Sequence, residues 1–260
     1  MGMKLKDQAA IVTGGGRGIG RAIALTLASE GANVLVSGRH RETLDGTARE
    51  IEQLSSRSLV TVTDVSQESQ VEEMVQAALQ AFGRIDILVN NAGIVGPTAP
   101  VTGVALEDWD EVMAVNLTGA FLCAKAVATH MIERRSGKII NISSIAGKRA
   151  YALRSPYAAS KWGMIGLSAT LAQELGPHNI QVNAICPGPV AGERMQAVIS
   201  RRARELGLSE SEVERTYVEG TALKRMVDPD HIAALVLLLA SEEGSSITGE
   251  AIDVTAGYGL

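Results

Sequence analysis

The strongest constraint on the fold is a rhythm, in which seven short β-branched or aliphatic runs alternate with longer stretches of helical periodicity. The runs are Ala9 to Thr13, Asn33 to Ser37, Leu59 to Val62, Ile87 to Asn90, Lys138 to Ile142, Gln181 to Ile185 and Ala251 to Val254. Strands separated by helices feed a parallel sheet through βαβ crossovers. Between the first two runs Ile19, Ile23 and Leu27 recur at helical spacing, and between the third and fourth Val71, Met74, Val75, Ala78 and Phe82 form one stripe. Each stripe predicts the core face of an amphipathic helix lying on the sheet. With 260 residues, 46% of them hydrophobic, the chain suffices for one core, so a single α/β domain over residues 1–260 is expected.

The rhythm breaks once, between Pro187 and Asp228, where polar helical pieces at Met195 to Glu205 and Glu210 to Val218 replace a strand. Few large apolar residues occur there, so the insertion at about 189–227 reads as a mobile cover over the substrate and not as a second domain. Ser155-Pro156 offers an N-cap hydroxyl and then a proline at the first helical position, which predicts a helix from about Pro156 to Leu175. Asp228-Pro229 repeats the device before Ile232, Leu235, Val236 and Leu239.

A net charge of -5 and the absence of long like-charge runs argue against a nucleic-acid partner. The N-terminal stretch resembles neither a signal nor a transit peptide, and apolar runs such as Ile232 to Ala240 fall short of the roughly 20 residues of a membrane helix. The expectation is a soluble, cytoplasmic protein with no membrane partner. Cys123 and Cys186 are too few for a disulfide framework and sit in apolar settings, as buried reduced thiols do. His40, His130, His178 and His231 show no ligand spacing, so no metal is expected.

Directly after the first run comes Thr13-Gly14-Gly15-Gly16-Arg17-Gly18-Ile19-Gly20, and then a helical stripe. Glycines at a strand-to-helix turn let the backbone approach a pyrophosphate, whose charge is favoured by free N–H groups at a helix N-terminus. The spacing, G-x-x-x-G-x-G, differs from the commoner G-x-G-x-x-G dinucleotide fingerprint. At the end of the second run an acidic residue would bind an unphosphorylated ribose, but this chain has Ser37-Gly38-Arg39. Arg17 and Arg39 suit a 2′-phosphate, which favours NADP(H) and leaves NAD(H) as the alternative.

Ser155-Pro156-Tyr157-Ala158-Ala159-Ser160-Lys161 places Tyr157 and Lys161 four residues apart on one helical face. A free phenol, with a pKa of about 10, is a poor base at neutral pH, and a neighbouring cation favours its ionised form. The pair alone is a common coincidence on helix surfaces. Its weight comes from company.

Together these features resemble the short-chain dehydrogenase/reductase family over essentially the whole chain. The matching motifs are Thr13 to Gly20, Asp64 after the third run, Asn90-Asn91-Ala92-Gly93 after the fourth, Val115-Asn116-Leu117, Ser143-Ser144, Tyr157 with Lys161, and Pro187-Gly188. The resemblance implies a Rossmann-like, doubly wound, seven-stranded parallel sheet flanked by helices. It also implies an NAD(P)-dependent oxidoreductase that interconverts a secondary alcohol, sugar or hydroxy acid with its carbonyl.

In that family the tyrosine is the acid/base, the lysine lowers its pKa and binds the nicotinamide ribose, and a serine polarises the carbonyl. The family spacing of thirteen residues before Tyr157 selects Ser144 and not Ser143. Asn116 would serve the proton relay, Asp64 and Val65 would border the adenine, and Asn91, Ala92 and Gly93 would line the cleft. Gly14, Arg17, Gly18, Ile19, Gly20, Arg39, Pro187, Gly188 and Val190 complete the implied cofactor set, and a homotetramer or homodimer is the implied assembly. Two positions depart from the pattern: Gly192 stands where a threonine often touches the carboxamide, and Val254-Thr255-Ala256-Gly257 where Val-Asp-Gly-Gly is frequent.

The chemistry of the residues agrees, since hydride loss from a carbinol requires removal of the hydroxyl proton, and a second hydroxyl donor stabilises the oxyanion in the reverse direction. Tyr157 and Ser144 fill those roles and define the substrate site. Between them lie Lys148, Arg149 and Arg154, so Arg149 or Arg154 is expected to grip an anionic substituent. Two rival readings are a dinucleotide-binding sensor without turnover, which would not require an intact Ser144, Tyr157 and Lys161 set, and a methyltransferase, which has no use for a Tyr-x-x-x-Lys pair.

Overall fold

The strands are β1 (Ala9–Thr13), β2 (Asn33–Gly38), β3 (Ser58–Val62), β4 (Ile87–Asn90), β5 (Gly137–Ile142), β6 (Ile180–Pro187) and β7 (Ala251–Val254). They form one sheet in the order β3-β2-β1-β4-β5-β6-β7, parallel throughout. This is a computed structural model that describes residues 3–259. β1, β4 and β7 match the predicted runs, while β6 extends through Cys186 and Pro187 because these still pair with Asp253 and Val254.

The helices are α1 (Gly18–Ser29), α2 (Arg41–Gln53), α3 (Glu68–Phe82), α4 (Leu106–Met113), α5 (Gly119–Arg134), α6 (Ser155–Leu175), α7 (Glu193–Leu206), α8 (Glu210–Glu219) and α9 (Pro229–Ala240). Successive strand residues point to opposite faces, so the sheet carries two cores. Ala10, Val12, Ile87 and Val89 join α1 and α9 on one side, and Ile11 and Leu88 join α3 and α5 on the other. The result is the doubly wound, single-domain Rossmann-like architecture that the rhythm and the resemblance imply. Winding reverses between β1 and β4, which opens a crevice at their carboxyl ends.

Three expectations need correction. The Ser155 hydroxyl is not an N-cap: α6 begins at Ser155, the boundary residue is Arg154 with φ -137° and ψ 35°, and no side chain caps the helix. The first four N–H groups of any helix are unpaired, so a proline is tolerated one position further in and the start slides by one residue.

Apolar length was also underestimated. Leu106–Arg134 run as one helix of 29 residues, through α4, a π-turn at Ala114–Thr118 and α5, and by length and composition alone it could cross a membrane. Small residues raise its mean hydropathy without forming a long unbroken run. Half of its apolar window is buried, with Leu122, Cys123, Val127 and Met131 facing the core.

Finally, the insertion has apolar anchors of its own. Val198, Ile199 and Ala203 of α7 pack on Val213 and Tyr217 of α8, with Val95, Met226 and Tyr258 beneath them. The seam's residues are few and spread over two short helices, so they form no apolar run in the sequence.

One buried polar chain ties the sheet to α6. Asn90 Nδ2 donates to Asn141 Oδ1 (2.9 Å), Asn141 Nδ2 donates to Ser168 Oγ (2.8 Å), and Ser168 Oγ donates to Met164 O (2.7 Å). Asn90 and Asn141 are direct register partners across β4 and β5. Asn141→Ala strands donors and acceptors that water cannot reach, and a loss of about 2 kcal/mol in unfolding free energy is expected from urea titration. A loss within error of zero would show that the chain is not structural.

Candidate active site

The glycine turn after β1 is built by two unlike constraints. Gly14 (φ +66°) and Gly18 (φ +52°) occupy the left-handed region that glycine adopts without strain. A side chain at Gly18 would meet nothing within 4 Å, so this face of the turn is open, whereas one at Gly20 would strike the Gly14 carbonyl. The boundary residue of α1, Arg17, is extended and caps no N–H, so the first-turn amides of α1 lack a side-chain partner. Such an end favours an anion.

Across the crevice, β4 grips the same turn. The backbone N–H groups of Asn91 and Ala92 both donate to Thr13 Oγ1 (3.0 Å each), and Asn91 Nδ2 donates to Thr13 O (2.9 Å) and Gly14 O (3.1 Å). Asn91 therefore holds the loop; its amide is committed to protein.

A cavity of about 1030 Å³ runs along these carboxyl ends. Gly14, Arg17, Gly18, Ile19, Gly20, Arg39, Asp64, Val65, Asn91, Ala92, Gly93, Pro187, Gly188 and Val190 all line it. So does Ser37, whose Oγ is buried without a hydrogen-bond partner. An orphaned hydroxyl beside an uncapped helix end and an open glycine fits a polar, phosphate-bearing ligand such as a dinucleotide. Arg39 is exposed at the rim and, among the described residues, has no carboxylate within 4.0 Å. Arg17 has only a 4.0 Å approach to the exposed Glu193. Asp64 is occupied locally, its Oδ1 accepting from Ser66 N (3.0 Å) and Ser66 Oγ (2.7 Å).

Toward the other end stand Ser144, Tyr157 and Lys161. The two serines are not equivalent, because Ser143 Oγ donates to Lys161 O (2.9 Å) while Ser144 Oγ accepts from Ala146 N (3.2 Å) and keeps its own proton to give. Lys161 is 4% exposed; its Nζ donates to Ile142 O (2.8 Å) and lies 5.9 Å from the Tyr157 ring centre. Burial, with the positive Arg194 as a second cause, lowers its ammonium from 10.5 to about 7.

Asn116 sits in the π-turn, fully buried. Its Oδ1 accepts from Ile94 N (2.7 Å) and its Nδ2 donates to Ile94 O (2.9 Å) and Ser160 Oγ (3.0 Å). It does not line the cavity but clamps the segment after β4 to α6, and Gly93 packs between it and Lys161. A π-turn of this kind commonly marks a functional position.

Of the two arginines singled out for the substrate, only Arg154 faces the cavity. Arg149 is exposed and lies against Gly259, outside it, because after Ile145, which lines the cavity, the chain makes a short helical turn at Ile145–Gly147 and residues 146–149 leave the wall. Tyr151, within the segment between Ser144 and Tyr157 that the sequence reading made one wall of the pocket, lines this end, and sequence reasoning missed Arg194, Arg201, Tyr217 and Tyr258, which line it too. They carry no motif; the run of arginines in the insertion was the only signal. Burial pushes Cys123 up to about 12 and Cys186 up to about 11, so neither supplies a thiolate at neutral pH.

Comparison with known proteins agrees over the full length. The family described as short chain dehydrogenase matches residues 8–203. Short chain dehydrogenase/reductase astE of Aspergillus oryzae is 42% identical over 258 residues, spanning 98% of this chain and 96% of its own. An NAD+-bound xylitol dehydrogenase is 32% identical with a TM-score of 0.94, covering 96% of this chain and 98% of that one. An actinorhodin polyketide ketoreductase with NADPH is 33% identical with a TM-score of 0.94, covering 100% and 99%. With its glycine turn, Asn91 clamp and Tyr157–Lys161 pair set along one cleft, the chain belongs to the short-chain dehydrogenase/reductase family of NAD(P)-dependent oxidoreductases.

Proposed function

We propose that the protein interconverts a secondary alcohol and its carbonyl, prefers NADP(H), and uses Tyr157 to move the proton. The observation that carries this reading is that Ser144 and Tyr157 face one cavity beside a buried lysine, while the neighbouring Ser143 is spent on the backbone. The bound nicotinamide supplies or accepts the hydride. Gly14, Gly18, Ile19, Gly20 and the α1 amides would hold its pyrophosphate, and Asp64, Val65 and the residues Ala92, Gly93, Pro187, Gly188 and Val190 would flank the rest.

In reduction, Tyr157 Oη gives its proton to the carbonyl oxygen as negative charge builds there, and Ser144 Oγ donates a second hydrogen bond to that oxygen. Lys161 keeps a positive charge beside the phenol and replaces the proton, with Asn116 positioning the inner end of the path. In oxidation the same groups run in reverse. Helices α7 and α8, which close the substrate end, act as its cover.

Tyr157→Phe is expected to lower kcat by about 100- to 10,000-fold with NADPH binding retained. Nicotinamide absorbance with a carbonyl panel reads the first and fluorescence titration the second. An unchanged kcat would remove Tyr157 from the chemistry.

The exposed, carboxylate-free Arg39 is the expected 2′-phosphate ligand. Arg39→Ala should weaken NADPH binding by about tenfold or more and leave NADH nearly unaffected. Equal losses for both dinucleotides would contradict the preference.

Lys161 titrates below its ordinary value, so its charge is present at low pH and lost as pH rises through about 7. On a neutral ketone, kcat/KM for reduction should therefore fall on that alkaline limb. Arg194→Met removes a like charge and should move the limb to higher pH; a limb that stays in place would exclude Lys161 as its source.

A further inference from the structure

The substrate end of the cavity holds a buried cation without a counter-ion. Arg154 is 4% exposed and lines the cavity, yet among the described residues its side chain's only hydrogen bond is from Nη1 to Val95 O (3.3 Å). A guanidinium has five N–H donors, so most of this one is unspent. No carboxylate of the described residues lies within 4.0 Å of Arg154, Arg194 or Arg201, although Asp108, Glu111 and Glu193 share the cavity wall.

What surrounds Arg154 does not neutralise it. Tyr151 Oη donates to Tyr217 Oη (3.4 Å), and Arg202 Nη1 donates to the same Tyr217 oxygen (3.3 Å) with its guanidinium 5.6 Å from the ring centre. Burial pushes the Tyr151 and Tyr258 phenols up, so these hydroxyls stay neutral. Arg201, whose Nη1 reaches Gly96 O (3.4 Å), adds a like charge. Arg194 Nη2 donates to Gly93 O, beside Lys161. The unspent donors of Arg154 open onto the cavity, and a charge held without a partner in so confined a place is stabilised by a ligand of opposite sign.

Arg154 is also correctly placed for the chemistry. It stands three positions before Tyr157, just outside α6, and both side chains line the same cavity. A substrate whose carbonyl sits at Tyr157 and Ser144 thus extends toward Arg154, with Arg201 on α7 and the hydroxyls of Tyr151 and Tyr217 alongside.

We infer that Arg154, with Arg201 and Arg194 as outer charges, forms a carboxylate-recognition site, and that the substrate is an oxo acid or the corresponding hydroxy acid. The inference rests on the carbonyl-reductase reading above, and it adds a specificity-determining residue. The fork of the guanidinium matches a carboxylate in two parallel hydrogen bonds, which a neutral ester or thioester does not offer.

The test uses the protein with NADPH and three methyl ketones, 4-oxopentanoate, 5-oxohexanoate and 6-oxoheptanoate, each against its methyl ester. At the best chain length the acid should exceed its ester at least tenfold in kcat/KM. Arg154→Gln should erase that ratio through the KM for the acid, Arg154→Lys should retain part of it, and the exposed Arg201→Gln should reduce it.

Esters reduced as well as acids at every chain length overturn the inference and leave the reductase intact. So does an Arg154→Gln variant that loses acid and ester equally, because that is the signature of a purely structural tie to Val95. Calorimetry of hexanoate against methyl hexanoate on the NADPH-saturated protein gives the same ordering without turnover. Tighter hexanoate binding in a protein that reduces neither ketone class would sustain the carboxylate site while removing the reductase assignment.

Discussion

The functional half of this molecule depends on one junction, the grip of the segment after β4 on the turn after β1. The sheet reverses its winding between these neighbours, and their ladder ends at the Val12–Val89 pair, before the turn. Thr13 Oγ1 takes up that deficit by accepting two backbone N–H groups, and the Asn91 amide donates to the carbonyls of Thr13 and Gly14. The glycine turn is thereby held from outside, and its free face remains open for a ligand. Asn116 repeats the device one step further along, satisfying both backbone groups of Ile94 from the π-turn. Two asparagines thus serve as backbone surrogates where regular structure stops.

A second set of ties fixes α6, which carries the tyrosine and the lysine. Asn141 reaches Ser168, Ser143 reaches the Lys161 carbonyl, and Lys161 reaches the Ile142 carbonyl. Close approach at this corner requires Gly147, where a Cβ would press on the Lys161 carbonyl. Positive charge is concentrated here at the expense of solvation, in Lys161 and Arg154, and such groups cluster at functional sites. The α7–α8 pair holds together through an apolar seam of its own, and its residues Val198, Arg201 and Tyr217 line the same end of the cavity.

Much of this was legible because it is local. The β-α rhythm, the glycine string, the Tyr157–Lys161 spacing and the Asp228 cap, whose side chain accepts from Asp230 N (2.9 Å), are short-range patterns governed by backbone geometry and helical period. The helix starts at Ser155, one residue before the predicted position, because a proline is tolerated anywhere among the unpaired first N–H groups and so does not fix the boundary. The apolar character of Leu106–Arg134 was hidden by its small residues, and it became apparent only as a continuous helix packed on the sheet.

The sequence by itself determined the parallel α/β class, the glycine turn between β1 and α1 and the placing of Tyr157 and Lys161 on one helix, since each follows from residues a few positions apart. Only the tertiary structure decided between Arg149 and Arg154, because five positions along an irregular segment are enough to send one side chain to the surface beside Gly259 and the other into the cavity. It also brought Arg194, Arg201, Tyr217 and Tyr258 to that end and revealed the orphaned hydroxyl of Ser37. Burial and pairing are properties of surroundings assembled from distant segments. No spacing rule within one segment encodes them.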